Sequence, residues 1–264
     1  MTTFDAAAPR FDMGRVVKRM FDAIGRNLAV FGLLSLILGA GPQLVISLAA
    51  AAIAAGGAAS GLGLLFMIIG GLGAIVGAYV LQAALVHGVV RDLNGQKADF
   101  GDCLSTGFRH FFPVLGLAIL MTIAVCFGLI FLIVPGVFMA LVWCVAVPSE
   151  VVERTGVFQA FSRSADLTRN HRGAIFGLFV AFALLSWILS AVVLAVGGGF
   201  NGAFSGEFAI GNQIMAGNFA PAVVSVVSQT IQGLLASAGL ASLYYELRFI
   251  KEGIGPESLA SVFD

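Results

Sequence analysis

The chain has 264 residues, 59% of them hydrophobic and only 11% charged, with 14 basic residues balanced by 14 acidic ones and a mean hydropathy of +1.01. A soluble domain carries about 25% charged residues, so this composition excludes a water-soluble globular protein, and the charge balance leaves no basic field for nucleic acid. Four segments hold no Lys, Arg, Asp or Glu: 27–90, 111–149, 173–206 and 208–245. Continuous apolar runs without period-two alternation point to membrane-spanning helices of roughly 20 residues each and away from a β-barrel.

The N-terminal stretch MTTFDAAAPRFDMGRVVKRMFDAIGRN is polar and amphipathic, and no cleavable signal peptide is expected. Asp12 suits an N-cap, and Met13, Val16, Val17, Met20 and Ile24 then share one helical face. A first span starts at Asn27 and ends at Gly41-Pro42 or in the AAAIAAGGAASG tract that follows. The second covers 62–90, where Gly70, Gly73, Gly77, Ala84 and Gly88 fall near one face, a pattern for close helix packing. Asp99 then caps a second amphipathic segment carrying Phe100, Cys103, Leu104, Gly107, Phe108 and Phe111 at helical spacing. The third span starts near Phe112 and turns at Val134-Pro135-Gly136; the fourth reaches Val152, with Pro148 kinking or ending it. Glu150 and Glu153 follow, expected to pair with Arg91, Arg172 or Arg248. Val157, Phe158, Phe161 and Ala165 form the apolar face of a third amphipathic segment, opposite Arg163 and Arg169. A fifth span covers 174–196, a Gly/Asn-rich loop follows, and a sixth covers 221–249.

The reading is therefore all-α: six transmembrane helices in three hairpins, each preceded by an amphipathic helix. Those short helices either lie in the lipid interface with their apolar faces in the membrane or pack on the bundle as connectors, and the interfacial placement is the one expected. All fourteen Lys and Arg fall on one side, whereas the three opposite turns hold none. The cytoplasmic preference of Lys and Arg then puts both termini inside.

The units match in register. GRNLAVFGL, RHFFPVLGL and HRGAIFGLF each set a basic residue six positions ahead of a glycine: Arg26 to Gly32, His110 to Gly116, His171 to Gly177. Their exits, VVRDLNG, VVERTG and LRFIKEG, end at Gly95, Gly156 and Gly253. This gives one membrane domain over 1–264, built of a threefold repeat with units at about 12–95, 96–156 and 157–253 and a cytoplasmic tail at 254–264. In LYYELRFIKEG, Tyr244 and Tyr245 suit an aromatic belt, Arg248 and Glu252 stand four apart, and Gly253 suits a helix C-cap.

Three stretches, LVHGVVRDLNGQKADFGDCLSTGFRHFFPVLGL, LVWCVAVPSEVVERTGVFQAFSRSADLTRNHRGAIFGL and ASLYYELRFIKEG, carry a resemblance that extends over about 16–253. The chain resembles a family of bacterial multipass membrane proteins without assigned activity, which includes YciC-like inner-membrane proteins. It is also similar to the membrane-anchor domain fused to some glycerophosphodiester phosphodiesterases. The resemblance implies an inner-membrane protein; no catalytic role carries over, because the soluble phosphodiesterase domain has no counterpart here.

The residues offer no catalytic constellation. His87, His110 and His171 belong to no metal motif, and no phosphate-cradling glycine loop is present. No enzyme activity, metal or cofactor is expected. Cys103, Cys126 and Cys144 form no CxxC pair and read as small apolar residues, with Cys126 and Cys144 at similar depth about the Pro135-Gly136 turn. The expected function is engagement of membrane lipids, or of another membrane protein, by the cytoplasmic side. The residues expected to meet headgroups are Lys18, Arg19, Arg26, Arg109, His110, Arg163, Arg169, Arg172, Arg248 and Lys251. The alternative is a permease or lipid translocator for a neutral or amphipathic molecule. It would use a polar seam of Ser225, Gln229 and Gln232 on the sixth span, faced by Gln82 and by Gly32, Ser35 and Gly39. Interhelical hydrogen bonding accounts for the same seam without transport.

Overall fold

The computed structural model describes residues 11–55, 59–131, 133–196 and 219–253, and every regular element in them is helical. In chain order these are α1 (Met13–Arg26), α2 (Leu28–Ser35) passing through a π-turn (Leu36–Ala40) into α3 (Gly41–Ala55), and α4 (Ala59–Leu93). Then come α5 (Phe100–Arg109), α6 (Phe111–Phe131), α7 (Ile133–Val142), α8 (Ala146–Glu153), α9 (Val157–Thr168), α10 (Arg172–Val196) and α11 (Phe219–Glu252). By length and composition, four described stretches suffice to cross a bilayer: Leu28–Ile46, Gly61–Leu93, Phe111–Ile130 and Val134–Glu153. A fifth is added if α9 and the first part of α10, which meet at a bend of 100°, count as one span. The expected Gly/Asn-rich loop lies outside the described residues.

The first span does not end at Gly41-Pro42. Proline has no N–H to offer the Leu38 carbonyl one turn back, and its ring crowds that oxygen. The helix responds by widening: Gly41 N–H bonds to the Leu36 carbonyl, five residues back, and the chain continues as helix to Ala55. The Leu38 carbonyl points at α4, where Gly77 lets the two backbones approach; a Cβ there would fall well inside contact distance of the Leu38 oxygen and 3.2 Å from its carbonyl carbon. Gly63, Gly70 and Gly73 face Ile53, Ile46 and Pro42 in the same way. The glycine pattern is thus a packing surface between α3 and α4.

A second proline organises the fourth helical segment. Pro148 cannot donate to Cys144, and the helix breaks at 143–145 before resuming as α8. The break leaves the Val142 carbonyl without its helical partner, and α9 supplies one. Ser164 Oγ donates to it at 2.8 Å and Thr168 Oγ1 at 3.3 Å. Trp143 packs on Phe161 at 4.9 Å between ring centroids. In a setting without water, an orphaned carbonyl costs several kcal/mol, so these hydroxyls fix where α9 docks.

The two amphipathic N-caps form as expected: Asp12 accepts from Gly14 N–H at 2.8 Å and Asp99 from Asp102 N–H at 3.1 Å. The apolar faces behind them turn toward protein. Val16, Met20 and Ala23 of α1 are buried, as are Cys103 and Gly107 of α5 and Ala160 and Leu167 of α9. The expected immersion of these faces in lipid gives way because each finds an apolar surface on the bundle first, α1 against α11. Left outside are Met13 at the start of α1 and one phenylalanine on each short helix, Phe21, Phe108 and Phe158, exposed at 50%, 54% and 80%.

Burial is concentrated toward the charged end. Nearly every residue of 83–90, 142–151 and 241–247 is buried, whereas Leu62, Leu64, Leu65, Phe66, Met67, Ile68 and Ile69 of α4 are all exposed. Lipid solvates such side chains as well as a protein core does, so only the end facing water needs one. The exit glycines Gly95, Gly156 and Gly253 have φ of +78°, +87° and +65°, a region open to glycine and strained for other residues.

Replacing Gly77 with Ala should destabilise the purified protein by about 1–3 kcal/mol, because the α3–α4 backbones must separate. Gly71→Ala, with nothing within 4 Å of its Cβ, should leave the melting temperature unchanged or slightly raised. Equal melting temperatures for the two variants would contradict this packing.

Candidate functional site at the charged end of the bundle

Glu246 of α11 has no solvent exposure. Its counter-charges come from α1, at the other end of the chain. Arg19 Nη1 donates to Oε2 at 2.5 Å, and Arg15 Nη1 approaches Oε1 to 3.4 Å without hydrogen-bond geometry. The same Arg19 guanidinium lies over the Tyr245 ring, 5.2 Å from its centroid. Val16 and Met20 on the same face of α1 are fully buried, so α1 brings its apolar stripe and its two cations to α11 together.

Three further nodes surround this one. Arg26 binds Asp92 through Nε and Nη2, the latter at 2.5 Å, and the buried Asn27 side chain joins them, donating to Asp92 Oδ1 at 2.7 Å and accepting from Ala98 N–H. Asp102 of α5 takes Arg91 and His87 of α4, the latter at 3.0 Å. The bond from His87, and then Arg91, hold the Asp102 carboxyl below its ordinary value against the opposing effect of burial. Glu153 at the end of α8 accepts from Arg163 of α9 at 2.9 Å and from the Tyr244 hydroxyl at 2.6 Å. Arg163 also binds Glu252, which takes Arg248 at 2.7 Å as its residue spacing implies. Lys251 donates to the Asp166 carbonyl.

The exit of α4 is tied to α5 through His87 and Arg91 and to α1 through Asp92, the exit of α8 to α9, and the exit of α11 to α1 through Glu246 and to α9 through Glu252 and Lys251. Two span entrances also meet a short helix: a Cβ at Gly116 of α6 would lie 3.5 Å from Val157, the first residue of α9, and one at Gly177 of α10 would lie 3.2 Å from Met13, the first residue of α1, whereas one at Gly32 of α2 would have nothing within 4 Å.

The structure divides the ten residues expected to meet headgroups. Arg19, Arg26, Arg163 and Arg248 are held in internal ion pairs, and Lys251 on a carbonyl. Arg172 lies over the Phe138 ring at 4.6 Å. His110 is buried, its Nε2 has no partner among the described residues, and burial, then Arg154 and Arg109, lower its pKa and keep it neutral. Lys18, Arg109 and Arg169 remain exposed with no side-chain partner among the described residues. Glu150 and Glu153 meet none of the cations expected for them: Glu150 is buried and accepts from Gly156 N–H at 2.7 Å, because the left-handed turn at Arg154 folds that N–H back onto it. Tyr244 and Tyr245 are buried in protein, not placed in an aromatic belt, since Glu153 and Arg19 hold them inward.

The polar seam is divided as well. Gln232 faces α10 in an apolar groove of about 260 Å³ with Ser186 and Phe182, whereas Ser35 and Gly39 face Thr230 and Gly233 across a separate cavity. Gln82 is half-buried and lines neither. The side chains of Ser225 and Gln229 lie outside the described residues. Cys103 and Cys144 are buried and Cys126 is exposed, all three as free thiols, so the latter two do not meet. Burial pushes the Cys103 thiol up to about 11, leaving it protonated. Among the described residues no three His, Cys, Asp or Glu side chains converge as a metal site would require.

Compared with protein-family models, with curated proteins and with solved structures, the chain matches none.

Burial raises the pKa of Glu252, but the bonds from Arg163 and Arg248 outweigh it and hold the carboxyl below its ordinary 4.5. A depressed carboxyl stabilises fully above its unfolded value and loses that contribution as pH falls through the folded one. Wild type should therefore lose stability on acidification from about pH 7 to about pH 3 more steeply than Glu252→Gln, which starts lower by about 1 kcal/mol for this half-exposed cluster. Parallel curves would remove Glu252 from the acid response.

Proposed function

We propose that this is a non-enzymatic protein of the bacterial inner membrane, of the YciC-like kind, whose three short helices form a cytoplasmic collar that holds anionic lipid headgroups. In this reading α2–α3, α4, α6, α7–α8, α10 and α11 are six spans in three hairpins, with both termini inside. The one-sided placement of all fourteen Lys and Arg supports that orientation. The cyclic ties between each exit and the next short helix support a threefold repeat closed on itself.

One observation carries the lipid assignment. Each collar helix leaves outside a phenylalanine and a cation that the protein does not use: Phe21 with Lys18 on α1, Phe108 with Arg109 on α5, Phe158 on α9 with Arg169 at its end. An apolar ring to enter the acyl boundary and a cation for phosphate, adjacent on α1 and α5 and at opposite ends of α9, are the chemistry of an interfacial contact. The 100° bend between α9 and α10 lays α9 across the end of a span, as a helix in the membrane plane must lie.

The test is native mass spectrometry of protein released in mild detergent. Each basic residue near an anionic surface contributes about 1 kcal/mol, so Lys18→Gln/Arg109→Gln/Arg169→Gln should lower retained phosphatidylglycerol and cardiolipin by about tenfold or more. Arg26→Gln, whose cation is already committed to Asp92, should retain wild-type amounts. Unchanged retention in the triple variant would end the headgroup reading.

A further inference from the structure

A second feature lies inside the bundle, where the first span widens at the π-turn. Between the π-turn, α4 and α11 lies a cavity of about 130 Å³, lined among the described residues by Ser35, Gly39, Gln43, Leu81, Thr230 and Gly233. At about 30 Å³ of liquid volume per water, this is room for roughly four waters or one small organic molecule. Ser35 is 2% exposed, and among the described residues its hydroxyl has no hydrogen-bond partner, not even the helical carbonyl four residues back. A buried hydroxyl left unmet costs about 1–3 kcal/mol, and here the alternative to a ligand is an apolar membrane. Each wall adds something that a packing defect would not have. The π-turn is an uncommon element that recurs at functional sites, Gly39 and Gly233 keep side chains out of the space, and Thr230 and Gln43 bring further polar groups to it. No Asp, Glu, Lys or Arg lines it among the described residues, so an ion would meet no counter-charge from them.

We infer that this chamber is a binding site for a small neutral hydrogen-bonding molecule, a short diol or primary amide, with Ser35 and Thr230 as its hydroxyl contacts. The site stands apart from the lipid collar: Ser35 lies eight residues beyond Asn27, roughly 12 Å along the helix from the Arg26–Asp92 node. Charge-neutral substitutions in the collar leave it intact.

The probe is ethylene glycol. In a variant without native cysteines, Ser35→Cys reconstituted in lipid nanodiscs should react with 2-hydroxyethyl methanethiosulfonate, a neutral thiol reagent. Ethylene glycol at ten times its dissociation constant should slow that reaction about tenfold by simple occupancy. Adding Gly233→Leu, whose side chain has open space to enter, should block labelling. Absence of labelling in the Gly233-containing protein, or labelling indifferent to ethylene glycol, overturns the proposal. A second measurement avoids the cysteine background: ethylene glycol should shift the melting temperature of wild type more than that of Ser35→Ala. Identical shifts overturn it equally.

Discussion

A carboxylate without solvent contact, Glu246, sits in the last helix, and the cations that neutralise it belong to the first. Removing a carboxylate from water costs several kcal/mol unless it is paired and hydrogen-bonded. The C-terminal helix can therefore settle only where Arg19 and Arg15 meet it, and α1 can reach that place only by laying Val16 and Met20 against α11. The chain is closed end to end by this contact. An apolar pair of similar shape could be as stable; what the ion pair adds is register, because a slip of one residue on either helix strands a buried charge.

The rest of the architecture follows from the same bookkeeping applied to the backbone. Lipid offers no hydrogen bonds, so each carbonyl orphaned by a proline needs a partner or a place within the protein. Pro42 frees the Leu38 carbonyl, which is directed at the glycine face of α4; at the helix break ahead of Pro148 the Ala146 N–H turns to the Trp143 carbonyl, and the Val142 carbonyl so freed is taken by Ser164 and Thr168 of α9. The two prolines thus mark one packing surface, α3 on α4, and one docking site, α9 on the break before α8. Away from the charged end, α4 exposes leucine and isoleucine on every side but its glycine face, because lipid asks nothing else of it.

The features legible in the sequence were those with local causes. Asp12 and Asp99 cap helices that begin one residue later, Arg248 and Glu252 meet across one turn, and the three exit glycines all adopt positive φ. The features that sequence pattern misplaced depend on partners far along the chain. Arg19 and Glu246 are 227 positions apart, and nothing in LYYELRFIKEG announces that its tyrosines point inward. The amphipathic faces were visible, but periodicity records only that a face is apolar, not whether lipid or α11 covers it. The headgroup candidates share sign and position in the sequence; which of them remain free depends on counter-charges in other helices, and among the described residues only Lys18, Arg109 and Arg169 do. Ser35 and Gly39 do not face Gln232 as the seam requires but meet Thr230 and Gly233 across a separate cavity, since Thr230 stands about 200° from Gln232 around the helix.

The central claim is that Glu246 and Arg19 act as one unit joining the chain's ends. A double-mutant cycle on thermal or denaturant unfolding in detergent, with Arg19→Gln, Glu246→Gln and the pair combined, tests it most directly. The account predicts a coupling free energy of about 1–3 kcal/mol, each single change costing much of what the double costs. Single effects that simply add, within about 0.5 kcal/mol, would show that the two side chains do not hold the first helix to the last.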